Sequence, residues 1–259
     1  MSLTVTFIQS TIYWEEPDKN LMHFGKKFAA ITEPTDVIIL PEMFTTGFTM
    51  KPELHAEESG GKGLQWMQQK AIEKNCAVTG SISVKEMNAY YNRLYWVNPD
   101  GTFLYYDKRH LFSMGKEDAH YTRGTCKLIV NYKGWKICPL VCYDLRFPVW
   151  SKNIKEAPYD VLIYVANWPE VRSYPWKQLL IARAIENQCY VVGVNRIGED
   201  ANHFNHTGDS VVINPKGEIV SKTTANEDST ETVSISLDDL SRFRDAFPVL
   251  NDGDAFTIR

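Results

Sequence analysis

The chain has 259 residues, a net charge of -4 and hydrophobic residues over 44% of its length. Twelve Phe, seven Trp and thirteen Tyr supply enough burial for a large core without disulfide or metal staples. The absence of a Lys/Arg-rich run argues against a nucleic-acid partner, and the longest apolar runs, residues 37–40 and 161–166, are too short to cross a bilayer. With no charged segment ahead of an apolar stretch at the N-terminus, a cytoplasmic protein with no membrane partner is expected. Five cysteines at irregular spacing, without a CxxC pair, fit neither a disulfide framework nor a zinc site.

In chain order, residues 3–10 are predicted as a strand, and residues 17–31 as a helix with Leu21, Phe24 and Phe28 at helical spacing and Pro17 in the first turn. DVIILPE, residues 36–42, is a nearly continuous apolar run ended by proline, the pattern of a central strand covered on both faces. A helix over 63–75 and a strand over 77–84 follow, then a hairpin over 90–108 turning at Pro99, Asp100 and Gly101. The second half runs similarly. It has a hairpin over 127–141, a short helix over 148–156, a buried strand over 160–167, and a helix over 173–188 capped by Ser173. A strand over 189–196, a hairpin over 208–221 and a strand entering a last helix over 231–240 complete it. No low-complexity linker separates the halves, so one domain over 1–259 is expected, with 246–259 as a C-terminal extension. TDVIILPE (35–42) resembles YDVLIYVAN (159–167), and VNPDGTFL (97–104) resembles INPKGEIV (213–220). Internal pseudo-symmetry and chance likeness explain these pairs equally well. Either way the order implies an α/β fold of mixed sheets with helices outside.

Three polar residues sit where apolar strands end. Cys142, in WKICPLVCYDLRFP, lies at a strand-to-helix transition, where a side chain projects out of the sheet and the amide of Tyr143 can point into the same space. Taken alone, a buried free thiol is the plainer reading. Glu42 ends the run DVIILPE; a carboxylate near a core is costly unless partnered, so it is either a functional group or a solvated strand end. Lys108 follows the aromatic strand of TFLYYDKRHLF, where a solvated lysine is the simpler reading. A fixed ammonium there could also lower a neighbouring thiol's pKa and stabilise an oxyanion. No P-loop, GxGxxG or HExxH motif is present, and His203 and His206 in NHFNHTG read as part of a polar loop, so no metal or cofactor is expected.

LPEMFTTGF, YYDKRHLF and CPLVCYDLRFP together resemble the three signature blocks of the nitrilase superfamily, in its chain order of Glu, Lys and Cys. The resemblance runs from the first strand to about Asp245. It implies a four-layer αββα sandwich of two mixed six-stranded-type sheets, a homodimer, and a cysteine thioester mechanism with Glu42, Lys108 and Cys142 at its centre. EMFTTGF, HLFSMGKEDAHYTRG and ANWPEVRSYPWKQLLIARAIENQCYVVGVNR are most similar to the omega-amidase branch, which hydrolyses the distal amide of 2-oxo dicarboxylic acid monoamides such as 2-oxoglutaramate. In that setting Glu117 matches a second glutamate that holds the lysine and the substrate amide nitrogen, while Lys108 and the Tyr143 amide hold the oxyanion. A substrate carboxylate needs a cation, for which Arg172 is the first candidate; Arg146 is assigned to bracing the nucleophile turn, and Phe44 and Trp168 to apolar walls. Competing readings are a deaminated-glutathione amidase, an N-carbamoyl amine hydrolase, a nitrilase, or a catalytically silent binding protein on the same fold.

Overall fold

The computed structural model describes residues 1–258. Its first half runs β1 (Ser2–Gln9), α1 (Pro17–Ala30), β2 (Val37–Ile39), α2 (Pro52–His55), β3 (Glu57–Glu58), α3 (Lys62–Lys74), β4 (Ala77–Glu86), β5 (Ala89–Val97) and β6 (Phe103–Asp107). The second half runs α4 (Glu117–His120), β7 (Val130–Tyr132), β8 (Trp135–Val141), α5 (Pro148–Ser151), β9 (Val161–Ala166), α6 (Ser173–Asn187) and β10 (Tyr190–Asn195). It closes with β11 (Ile197–Glu199), β12 (Asn205–Thr207), β13 (Val211–Ile213), β14 (Ser229–Ser236) and α7 (Leu237–Ala246).

Because successive strand residues face opposite sides, the apolar runs feed two cores at once. Leu3, Val5, Phe7, Val37 and Ile39 join one cluster with Ile137, Ile163 and Val192 of the second sheet, whereas Ile8, Ile38 and Leu40 join another with Phe24 and Phe28 of α1 and Leu64 and Met67 of α3. The first cluster fills the space between two facing sheets and continues across the second sheet to its covering helix, and the second lies between one sheet and its covering helices. With α6 covering the other sheet through Trp176, Leu180 and Ala184, the layers are helix, sheet, sheet, helix.

The sheets explain the sequence repeats. One has the order β14-β1-β2-β4-β5-β6 with β3 added beside β4, and the other β13-β10-β9-β8-β7. β1, β2 and β4 are mutually parallel with β5 antiparallel, as β8, β9 and β10 are with β13. Each half also carries an antiparallel strand on its first edge, β14 on β1 and β7 on β8. The similar hairpin sequences fall at matching places, but the second contributes only the bridge Ile213↔Ile219. The expected pair of six-stranded sheets is therefore seven strands and five, with one outer strand reduced to a bridge and one short edge strand gained.

Helix α6 begins at Ser173, whose hydroxyl donates to Asp209 at 2.7 Å and does not cap the helix as expected. No helix among the described residues is long and apolar enough to cross a membrane. Residues 247–258 continue along the surface, and the carbonyl of Phe247 accepts from Gln188 Nε2 at 2.6 Å.

Gly193 lets α6 approach β10: a Cβ built there would stand 2.5 Å from Leu180 Cδ1 and 3.0 Å from Trp176. Gly193→Ala should lower stability by about 1–3 kcal/mol through overpacking, read as a lower urea midpoint at unchanged slope.

Candidate active site

Strand ends in the two sheets bring the polar residues to one place. The carboxyl ends of parallel strands are where α/β sheets bind ligands, and β2, β8 and β9 deliver Glu42, Cys142 and Asn167 there. Lys108 follows β6 directly, Asn92 lies within β5, and Glu117 opens α4. All three, with Glu42, are completely buried.

Their contacts form one network. Lys108 Nζ donates to Glu42 Oε1 at 2.9 Å and to Glu117 Oε1 and Oε2 at 3.1 and 2.9 Å. Asn92 Nδ2 bridges the same two carboxylates, at 2.8 Å to Glu42 Oε1 and 3.0 Å to Glu117 Oε1, while its carbonyl accepts the Lys108 amide. Glu42 Oε2 accepts the backbone N–H of Asn167 at 2.8 Å, and the Glu42 carbonyl accepts Asn167 Nδ2 at 2.6 Å. Phe112 N donates to Glu117 Oε2 at 2.7 Å.

Cys142 has a left-handed backbone, φ 44°, a conformation uncommon outside glycine that gathers at functional sites. Asp144 pins this turn from below. Its Oδ2 accepts Val141 N at 3.1 Å and the Tyr106 hydroxyl at 2.8 Å, and its Oδ1 accepts His110 N at 3.0 Å and meets His110 Nδ1 at 2.8 Å. Tyr143 is the second residue of the following 3₁₀ turn, so its N–H precedes the first intrahelical bond.

The acidity of the thiol is set by the balance around it, with the Glu42 carboxylate and the Asn167 backbone N–H among the groups that act on it. Burial, followed by the negative charge of Glu42, pushes the Cys142 thiol well above its ordinary value, and the Lys108 ammonium offsets only part of this. The lysine thus acts in the expected direction, lowering the thiol's pKa, but by less than burial and Glu42 raise it. Burial also opposes the Lys108 charge, but Glu117, Glu42 and Cys142 outweigh it and hold the ammonium above the usual lysine value. For Glu117, burial and the nearby Glu42 charge exceed the pull of Lys108 and raise its pKa.

A cavity of about 320 Å³ opens onto Cys142, Lys108 and Tyr143. Trp168 lines it as expected, but Phe44 does not. The left-handed backbone at Met43, φ 45°, turns the chain so that Phe44 is fully buried against Phe24 and Trp66, and Phe48 takes the wall position with Phe112. Arg172 lies on the wall, and so does Arg146, which was expected only to brace the turn. Their guanidinium carbons stand 5.3 Å from the Phe112 ring and 5.0 Å from the Trp168 ring. Neither has an acidic partner within 4.0 Å among the described residues. His206, in β12, is buried at the cavity's edge, where burial lowers its pKa to about 4; His203 is exposed. No cluster of three or more His, Cys, Asp or Glu fit to hold a metal occurs among the described residues.

Comparison with known proteins agrees with this geometry. Residues 4–245 match the carbon-nitrogen hydrolase family. The chain belongs to that family. It is 44% identical to omega-amidase YafV of Escherichia coli (strain K12), over 99% of this chain and 98% of the relative, and 32% identical to 2-oxoglutaramate amidase of Bacillus subtilis (strain 168), over 97% and 98%. A carbon-nitrogen hydrolase superfamily protein from Xanthomonas campestris, whose crystal structure has an arsenic adduct in the active site, superposes with a TM-score of 0.97 at 40% identity, covering 100% of both chains. The fold is thus the αββα sandwich, and this carbon-nitrogen hydrolase is an enzyme.

Since Glu42 raises the thiol's pKa, Glu42→Gln should lower it. Alkylation of Cys142, followed by mass spectrometry across pH, should shift to lower pH, while amide turnover falls roughly 10²–10⁴-fold with loss of a carboxylate able to move a proton.

Proposed function

We propose that the chain is an omega-amidase that releases ammonia from the distal amide of 2-oxo dicarboxylic acid monoamides through a Cys142 thioester. The observation that carries this reading is the pair of arginines, Arg146 and Arg172, that have no acidic partner among the described residues and lie on the wall of a small cavity that also holds the thiol. A substrate with a carboxylate at one end and an amide at the other fits that polarity, the carboxylate against the guanidiniums and the amide carbon at sulfur. The full-length likeness to relatives named for this activity supports the same conclusion.

In the reaction, Glu42 takes the thiol proton as sulfur attacks the amide carbon, so charge is created only during attack. Lys108 has three N–H donors and spends them on two carboxylates in the resting site; a redirected N–H and the Tyr143 amide hold the developing oxyanion. Glu42 returns its proton to nitrogen and ammonia departs, leaving the thioester. The same carboxylate then removes a proton from water as it attacks, and the acid leaves with Cys142 reprotonated. Glu117 keeps the Lys108 ammonium in place throughout.

A cavity of about 320 Å³ stands at the small end of ligand sites, which favours a compact 2-oxo acid amide over a tripeptide-sized one. The whole chain acts as one hydrolase domain, with 246–259 as an extension. Five free cysteines suit a reducing, cytoplasmic setting, and the exposed Val171, Tyr174 and Ile185 on and beside α6 suit a homodimer.

Ammonia release should be faster with 2-oxoglutaramate or 2-oxosuccinamate than with an N-carbamoyl compound or a nitrile; activity confined to the latter two would overturn the assignment. Cys142→Ala should be inactive while folded. Arg146→Gln and Arg172→Gln should each raise KM for 2-oxoglutaramate roughly 10- to 100-fold, with a smaller change in kcat, as steady-state kinetics would resolve.

A further inference from the structure

Counting acceptors in the network gives Asn167 a role that the motif residues leave open. A carboxylate offers about four lone-pair positions. Those of Glu117 are taken by Asn92 Nδ2 and Lys108 Nζ on Oε1, and by Lys108 Nζ and Phe112 N on Oε2. Glu117 and Glu42 are both completely buried and off the cavity wall, so it is the filled set of acceptors that sets Glu117 apart. Glu42 takes Lys108 and Asn92 on Oε1 and Asn167 N on Oε2, which leaves one Oε2 position for a further donor.

Two side-chain amide oxygens of this network have no partner among the described residues, Asn92 Oδ1 and Asn167 Oδ1, and of these two residues only Asn167 lines the cavity. Asn167 lines the cavity, is 7% exposed, and its Oδ1 is buried with no hydrogen-bond partner. The orientation of this amide is fixed, because Nδ2 donates to the Glu42 carbonyl at 2.6 Å, an acceptor that Oδ1 could not serve. An unpaired buried acceptor is costly, and a ligand N–H removes that cost. A primary carboxamide brings two N–H donors to this place once its oxygen turns towards Lys108 and the Tyr143 amide.

We infer that Asn167 Oδ1 accepts an N–H of the scissile carboxamide and selects amides over esters of the same acid, while Glu117 acts on the substrate only through Lys108. This deepens the omega-amidase reading and rests on it for the acyl chain, but the contact itself concerns the leaving nitrogen alone. An ester presents an oxygen with no hydrogen at the leaving position, so it cannot satisfy Oδ1. The site therefore penalises the ester, and the penalty disappears when Oδ1 is removed.

The test compares the wild type, Asn167→Ala and Asn167→Asp on an amide and the methyl ester of one acyl chain. 2-Oxoglutaramate and its ester analogue come first; if the wild type ignores both, the omega-amidase reading fails, and the comparison is run on a simple aliphatic amide and ester that the wild type does turn over. Loss of Asn167's support for Glu42 slows both substrates alike and cancels in the ratio of their kcat/KM values. Asn167→Ala should reduce the amide-to-ester ratio roughly 10- to 100-fold, and Asn167→Asp, which keeps an oxygen at the position, should retain the wild-type ratio within a few-fold despite slower turnover. An unchanged ratio in Asn167→Ala would overturn the inference. Should that variant not fold, as judged by its thermal melt, an Asn167→Asp ratio as low as that expected for the alanine variant would overturn it instead.

Discussion

The structure turns on one buried ammonium held between two carboxylates. Lys108 has no exposure to solvent, and neither do Glu42 and Glu117, so each charge is tolerated only because the others stand within hydrogen-bond distance. Removing one member of such a buried set costs about 3–5 kcal/mol, because the others are then left uncompensated. That cost fixes the atoms more tightly than packing alone. It keeps Glu42, Lys108 and Cys142, the proposed base, oxyanion donor and nucleophile, in register before substrate arrives, which is the form of preorganisation that lowers a barrier. The same burial raises the thiol pKa, which fits the proposed reaction, where Glu42 takes the proton during attack.

The fold makes this cluster possible by repeating itself. Two runs of parallel strands lie in sheets packed face to face, and corresponding second strands, β2 and β9, end at Glu42 and Asn167, which bond to each other twice. The site thus lies at the junction of the halves, with Cys142 from the end of β8 and Lys108 from the end of β6. Asp144 ties the two supply lines together by bonding both Val141, just ahead of Cys142, and His110, just after the lysine.

Much of this was legible in the sequence because strand-end polar residues are conspicuous after apolar runs. Glu42, Lys108 and Cys142 were readable in this way, and the similar segments at 35–42 and 159–167 marked the strands that the fold pairs. Asn92 was not, since it lies inside a strand, where an alternating polar residue normally faces water; here it faces two glutamates. Asn167 carried the same positional signal as Glu42, but asparagine at a strand end is ordinary turn chemistry. The exchange of Phe44 for Phe48 as a cavity wall depended on the left-handed backbone at Met43, which spacing does not encode. Arg146 was assigned to the turn it follows, because its freedom from acidic partners becomes visible only once distant side chains are in place. Strand counts shifted for a similar reason: whether an outer strand pairs over three residues or a single bridge depends on its neighbours more than on its own sequence.

The central claim is that this charge cluster drives an acyl transfer to Cys142. Acid quenching during turnover of 2-oxoglutaramate, followed by peptide mapping, tests it most directly. The expected result is a hydroxylamine-labile acyl adduct on the peptide carrying Cys142, formed as ammonia is released and absent in Cys142→Ala. Ammonia release at an undiminished rate by Cys142→Ala, or an adduct on another of the five cysteines, would contradict it.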